Sequence, residues 1–245
     1  MPTIPRRHLL IATLALATWA QPALAQSQLA GDALLASPLR TDDDRKADAG
    51  RKPQELLRFA QVTPGMTVLD IVTGGGYTAQ LLALAVGATG KVYAQGRTTA
   101  AIDKRLAAHP QGNLVGLARP LEDLFPPDLP RVDLATLILN YHDIANSPVD
   151  RDKMNRAIYA ALKPGGKFVL VDHAAKPGTG LAETKTLHRI DEATVRSEVQ
   201  AAGFVLEAEG EFLRNPKDPH EQIFSELQMP ADRFALRFVR PAMQR

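Results

Sequence analysis

The chain has no cysteine, which excludes a disulfide framework, a thiol nucleophile and a thiolate metal site. Its only tryptophan, Trp19, sits near the start. A surplus of charge is missing as well. Arg6 and Arg7 lie in a segment with the features of a removable leader, and without them the 29 basic residues fall to 27, equal to the 27 acidic ones. That balance gives no support to a nucleic-acid or membrane-surface partner. Long apolar runs are lacking too. The run from Leu9 to Ala17 is too short to span a bilayer, Gln21-Pro22 breaks it, and no later stretch reads as a membrane span. No internal repeat is apparent.

What the first residues do contain is a positive Arg6-Arg7-His8 region, the apolar run, and Ala23-Leu24-Ala25 as a small-x-small cleavage site. A signal peptide over 1–25 is expected, with the mature chain exported to the periplasm. Arg6-Arg7 before Leu9-Leu10 also resembles a twin-arginine signal, the route for folded proteins. An N-terminal arm over 26–43 and one domain over 44–245 complete the expected organisation.

From Thr67 onward, strands and helices alternate. Strands are expected over 67–72, 91–95, 114–117, 132–139 and 167–172, with helices over 78–86, 99–108 and 152–162 between them. Val132 to Leu139 is almost continuously apolar, as in a strand buried on both faces. Asp191 is a candidate N-cap for a helix running to Ala202, and Gly203 stops it. Strands over 204–209 and 233–239 follow with a long loop between them. This pattern predicts an α/β fold: a Rossmann-like, mostly parallel sheet with helices on both faces and an antiparallel C-terminal edge strand. Asp42-Asp43-Asp44-Arg45-Lys46 reads as the solvated start of a helix.

The most informative stretch is Val68-Leu69-Asp70-Ile71-Val72-Thr73-Gly74-Gly75-Gly76-Tyr77, an apolar strand entering a glycine turn and then a helix. Glycines let a ligand approach the backbone, and the helix offers free N–H groups at its positive end. The same residues would also make a plain strand-to-helix turn. Further on, Asn140-Tyr141-His142-Asp143 and Asp172-His173 follow neighbouring strands and should converge on one cleft. His142 is the candidate base, with Asp143 or Asp172 orienting it, and Tyr141, His173 and His188 are candidates on the substrate side. The His–Asp pairs would equally serve as loop-capping hydrogen bonds. Two histidines and two carboxylates have the chemistry of a divalent-metal site, but adjacent side chains on a strand point to opposite faces, so no metal is expected.

Together with Pro64-Gly65-Met66-Thr67, Gly90-Lys91-Val92-Tyr93-Ala94, Leu162-Lys163-Pro164-Gly165-Gly166 and Leu187-His188-Arg189-Ile190-Asp191, these pieces resemble the class I S-adenosylmethionine-dependent methyltransferases, and more narrowly a predicted bacterial subgroup with leader peptides. The resemblance runs from about Asp44 to Pro241. It implies S-adenosylmethionine as cofactor, with Asp70, Val72, Gly74, Gly75 and Gly76 at its amino-acid half. Gln95, at the tip of the second strand, would meet the ribose, and Glu122, Asp123 and Asn140 complete the cofactor side. The acceptor would be a small or lipid-like molecule. Two positions depart from the family pattern. Val72 replaces the first glycine of the loop, a crowding worth roughly 1–3 kcal/mol. Gln95-Gly96 stands where an acid normally holds the ribose hydroxyls. These departures, and export away from the cytoplasm, suggest an alternative: an exported, non-catalytic binding protein with a degenerate methyltransferase fold.

Overall fold

Apolar runs at 67–71 and 132–138 have no polar face to offer water, and they become adjacent central strands. A computed structural model describes residues 31–242. The expected leader lies outside the described residues, as do residues 26–30 of the arm. Within the arm, 31–35 is helical.

Helices α1 (Asp42–Arg51) and α2 (Pro53–Phe59) lead into β1 (Thr67–Ile71), α3 (Tyr77–Val86), β2 (Lys91–Gly96), α4 (Ala100–Ala108) and β3 (Leu114–Ala118). Then come β4 (Val132–Ile138), α5 (Tyr141–Ala145), α6 (Arg151–Ala161), β5 (Leu162–His173), α7 (Glu192–Ala201), β6 (Val205–Gly210) and β7 (Arg233–Val239). The seven strands form one sheet in the order β3-β2-β1-β4-β5-β7-β6. Strands β3 to β5 run parallel, whereas β7 runs antiparallel to both β5 and β6. The last two strands therefore make the antiparallel edge, with β7 inserted inside β6.

Strand alternation feeds two cores. Leu69, Ile71, Ala135 and Leu137 point to one face, whereas Val68, Leu134 and Val169 point to the other. Lys163-Pro164-Gly165-Gly166 forms an irregularity inside β5. Val132 pairs with Leu162 but Leu134 with Lys167, and Gly165 takes a φ of 78° between them. Asp191 does cap α7, its side chain accepting from the N–H of Ala193 at 3.0 Å.

The expected solvated acidic run holds only in part. Asp42 and Asp43 face water, but Asp44 is buried. Thr41 and Asp44 form a reciprocal capping box at the start of α1. The Asp44 carboxylate also accepts two hydrogen bonds from Arg105 of α4, at 2.8 and 2.7 Å. Arg105 then donates from Nε to the Gly75 carbonyl at 2.7 Å. One guanidinium thus clamps α1, α4 and the glycine turn together. Removing one partner of such a buried pair leaves the other charge uncompensated. Arg105→Ala should therefore lower unfolding free energy by about 3 kcal/mol in urea denaturation. The exposed Lys104→Ala should change it by less than about 0.5 kcal/mol. Equal effects of the two would remove the clamp from the account.

Candidate functional site

In an open parallel sheet, ligands sit beyond the carboxyl ends of strands where the strand order reverses. Here the reversal lies between β1 and β4. Both strands end in a residue with left-handed backbone, Val72 at φ 52° and Leu139 at φ 61°. A branched side chain in that region is strained by about 1–3 kcal/mol. Val72 N–H is held by Gln95 Oε1 at 3.0 Å, and Leu139 N–H by the Val171 carbonyl at 2.7 Å. Asn140 Nδ2 donates to the carbonyls of Ile138, at 2.7 Å, and Val72, at 3.4 Å. The crevice is opened and braced by these residues.

Two lobes meet there. The smaller, of about 210 Å³, is lined by Asp70, Thr73, Gly74, Gly75, Leu139 and Arg51 among others. The larger, of about 710 Å³, runs past Gln95, Gly96, Arg97, Arg119, Glu122 and Asp143. Val72 and Asn140 line both and stand between them. The larger lobe alone is in the size range of small-ligand sites.

In the small lobe, Asp70 is fully buried and accepts hydrogen bonds from Thr136, at 2.7 Å, and Thr73, at 2.8 Å. Burial outweighs these bonds and pushes its pKa up to about 6. The glycines divide their work. A side chain at Gly75 would meet nothing within 4 Å, so the turn is open there. At Gly76, with φ 83°, a Cβ would lie 2.8 Å from Arg105 and 2.9 Å from Ile102. At Gly76 the missing side chain thus makes room for packing against α4, and the residue lines neither lobe. Arg51 was not foreseen. It lines the small lobe, its guanidinium stacks 4.6 Å from the Tyr77 ring centroid, and it makes no ion pair among the described residues. Only its place at the end of a helix before Pro53 hinted at it.

In the large lobe, Gln95 differs from expectation. Its oxygen takes the Val72 N–H and its nitrogen donates to the Arg119 carbonyl at 2.6 Å, so the amide is a latch between backbones. No acid follows at the β2 tip, where Gly96 and Arg97 stand instead. Glu122 borders the lobe, while Asp123 pairs outward with Arg119 and does not line it.

The His/Asp residues separate more sharply. Asp172, fully buried at the end of β5, accepts from the backbone N–H groups of His142 and His173, both at 2.8 Å, and lies 2.6 Å from His142 Nδ1. A carboxylate only accepts, so the ring proton belongs on Nδ1. Burial disfavours charge on His142, but the Asp172 bond and the charges of Asp172 and Asp143 outweigh it and raise its pKa. The other nitrogen, Nε2, faces Asp143 Oδ1 at 3.4 Å, and His188 Nδ1 lies 3.1 Å from that same oxygen. The atom a base would use is therefore turned onto a carboxylate.

Tyr141 and His173 are not presented to the cleft as expected. Tyr141 is completely buried, donating to Glu198 at 2.7 Å and accepting from Asn155 at 2.9 Å, and burial raises its pKa. His173 is stacked on Phe224 at 3.8 Å. Burial, with Arg233 nearby, depresses its pKa to about 2, which keeps it neutral. The expectation that His142 and Asp143 point oppositely fails on its premise, because they lie on the short helix α5 rather than on a strand.

No protein-family profile matches the chain. Solved structures do. A SAM-dependent methyltransferase from Aquifex aeolicus superposes with a TM-score of 0.59 at 20% identity, over 82% of this chain and 100% of that one. A putative methyltransferase in complex with the Haloferax volcanii Trm112 activator gives 0.61 at 19% identity, over 87% and 97%. The [4+2]-cyclase SpnF gives 0.60 at 15% identity, over 79% and 81%. At these identities the likeness establishes the fold, which is that of SAM-dependent methyltransferases. Among the described residues, no helix is long and apolar enough to cross a membrane.

The raised Asp70 pKa has a pH signature. Between an unfolded value near 3.8 and a folded value of about 6, the folded state holds more protons, so stability falls as pH rises through that window. Above it, ionised Asp70 should cost roughly 3 kcal/mol relative to the acid form. Asp70→Asn should abolish that part of the decline. Urea midpoints at pH 4.5 and 7 for both proteins measure it, and parallel profiles would refute the assignment.

Proposed function

We propose that the chain binds S-adenosylmethionine across the β1–β4 crevice and is a methyltransferase for a small or lipid-like acceptor. The observation that carries this reading is the two-lobed cleft at the switch point, with an open glycine turn in one lobe and a nucleoside-sized groove in the other. The residues present suit the two ends of such a cofactor. Arg51, beside the Gly74-Gly75 turn, would pair with an amino-acid carboxylate. Asn140 and Glu122 offer polar contacts along the groove. When bound, the cofactor supplies a methyl group on a cationic sulfur. The chain's own contribution is alignment: Val72, Asn140 and the glycine turn hold the two partners in line, and methyl transfer depends mainly on such positioning. The acceptor would enter from the end marked by His142, Asp143 and His188. On this reading a leader of the twin-arginine type, which Arg6-Arg7 resembles, would export the protein already folded.

Val72 is the weak point of the fit. Its side chain packs against the core cluster that contains Leu69 and also borders both lobes. Glycine at this position would relieve the left-handed strain and widen the passage. Calorimetry with S-adenosylhomocysteine should therefore show binding to the wild type, tighter by about tenfold in Val72→Gly, the equivalent of 1.4 kcal/mol. Arg51→Ala should weaken it by a similar factor. Absence of heat and of any thermal shift at millimolar ligand, in both wild type and Val72→Gly, would reduce the claim to architecture alone.

A further inference from the structure

Three side chains next to the large lobe form a constellation that methyl transfer does not require. We propose that His142 Nε2, Asp143 and His188 bind one divalent first-row transition ion, with Asp172 orienting His142.

One donor atom from each of the three lies within 4.8 Å of the other two. The two separations from Asp143 Oδ1, 3.4 Å to His142 Nε2 and 3.1 Å to His188 Nδ1, match adjacent ligands around one ion. For metal–ligand bonds of about 2.1 Å, neighbouring ligands are separated by about 3.0 Å in octahedral and about 3.4 Å in tetrahedral geometry. The tautomer strengthens the case. With its proton on Nδ1 toward Asp172, His142 directs the Nε2 lone pair at a carboxylate oxygen, an arrangement that requires a proton or a cation between them. A carboxylate holding the far nitrogen of a histidine is the usual outer support of a metal ligand.

Asp143 has no lysine or arginine partner among the described residues; its ion-pair contacts are the two imidazoles. His188 is held at φ 51°, a strained backbone that turns its ring onto this cluster. Accessibility is graded as an open site requires: the His142 side chain is 3% exposed, His188 39% and Asp143 54%. Two imidazoles and one carboxylate favour ions of the iron-to-zinc series over magnesium or calcium. Asp143 also lines the large lobe, so a bound ion would border the space for an acceptor oxygen and could lower its pKa. That extension rests on the methyltransferase reading, whereas ion binding itself does not.

The test uses purified, metal-stripped protein without any cofactor. Cobalt(II), followed by its visible absorption, and zinc(II), followed by calorimetry, should each bind at one ion per chain. His188→Ala and Asp143→Ala should each weaken binding at least tenfold with unchanged circular dichroism, and Asp172→Asn by about 10–100-fold. His109→Ala, at the end of α4, should bind like the wild type. His188 lies near the surface, so its variant remains informative even if Asp172→Asn fails to fold. Substoichiometric uptake up to about 1 mM ion, or equal affinity in wild type and His188→Ala, would overturn the proposal. Failure of S-adenosylhomocysteine to bind would leave it standing.

Discussion

Two parallel neighbours, β1 and β4, must part at their carboxyl ends, and the molecule achieves this with left-handed residues at the first position after each strand. Val72 and Leu139 both terminate a ladder that would otherwise continue, since each is apolar and β-competent. Their N–H groups remain hydrogen-bonded, one to a side-chain amide and one to a strand carbonyl, so the turn away is strained but not unsatisfied. Everything placed at the crevice depends on that divergence. The glycine turn leaves one side of it, Asn140 and helix α5 leave the other, and Asn140 ties the two exits together. Such strain persists only when surrounding contacts over-determine it. The Arg105 clamp on Gly75 and the Gln95 latch on Val72 are those contacts.

Two buried aspartates at neighbouring strand ends show how local donors set chemistry. Asp70 receives hydroxyl hydrogen bonds, which do not offset its loss of water, and its acid form is favoured upward to about pH 6. Asp172 receives two backbone N–H groups and an imidazole proton, and through them it fixes the direction in which His142 presents its free nitrogen. The carboxylates have similar burial and distinct roles. One belongs to the wall of the small lobe, the other to the support of a side-chain cluster.

Much of the architecture was legible because it follows from short-range rules. The continuous apolar run at 132–138 announced a doubly buried strand, and Asp191 announced a helix start three residues after His188. Elements that depend on distant partners were not legible. Helix α5 has five residues, too few to show a helical period, and reading Tyr141 to Asp143 as strand-like misdirected their side chains. Asp44 looked like its exposed neighbours because Arg105 is 61 residues away. Arg189 gave no sign that it would be fully buried on Asp218 at 2.9 Å. At the site, the glycine turn and the His142–Asp172 approach could be anticipated from position at strand ends. The division of labour among the three glycines, and the contact of His188 rather than His173 with Asp143, arise only from packing.

The β2 tip constrains what the crevice can hold. Gln95 is latched between backbones and Gly96 is bare, so this tip presents no carboxylate to the large lobe. A new side chain at Gly96 would lie 3.0 Å from the Thr98 carbonyl, so an acid cannot simply be restored without moving the loop. Arg97, next in the chain, lines the large lobe. On the proposed reading a nucleoside would instead meet Asn140, which follows β4, and Glu122, which follows β3. Asn140, which lines both lobes, caps the same short helix that carries His142 and Asp143, so one element borders the crevice and the histidine cluster.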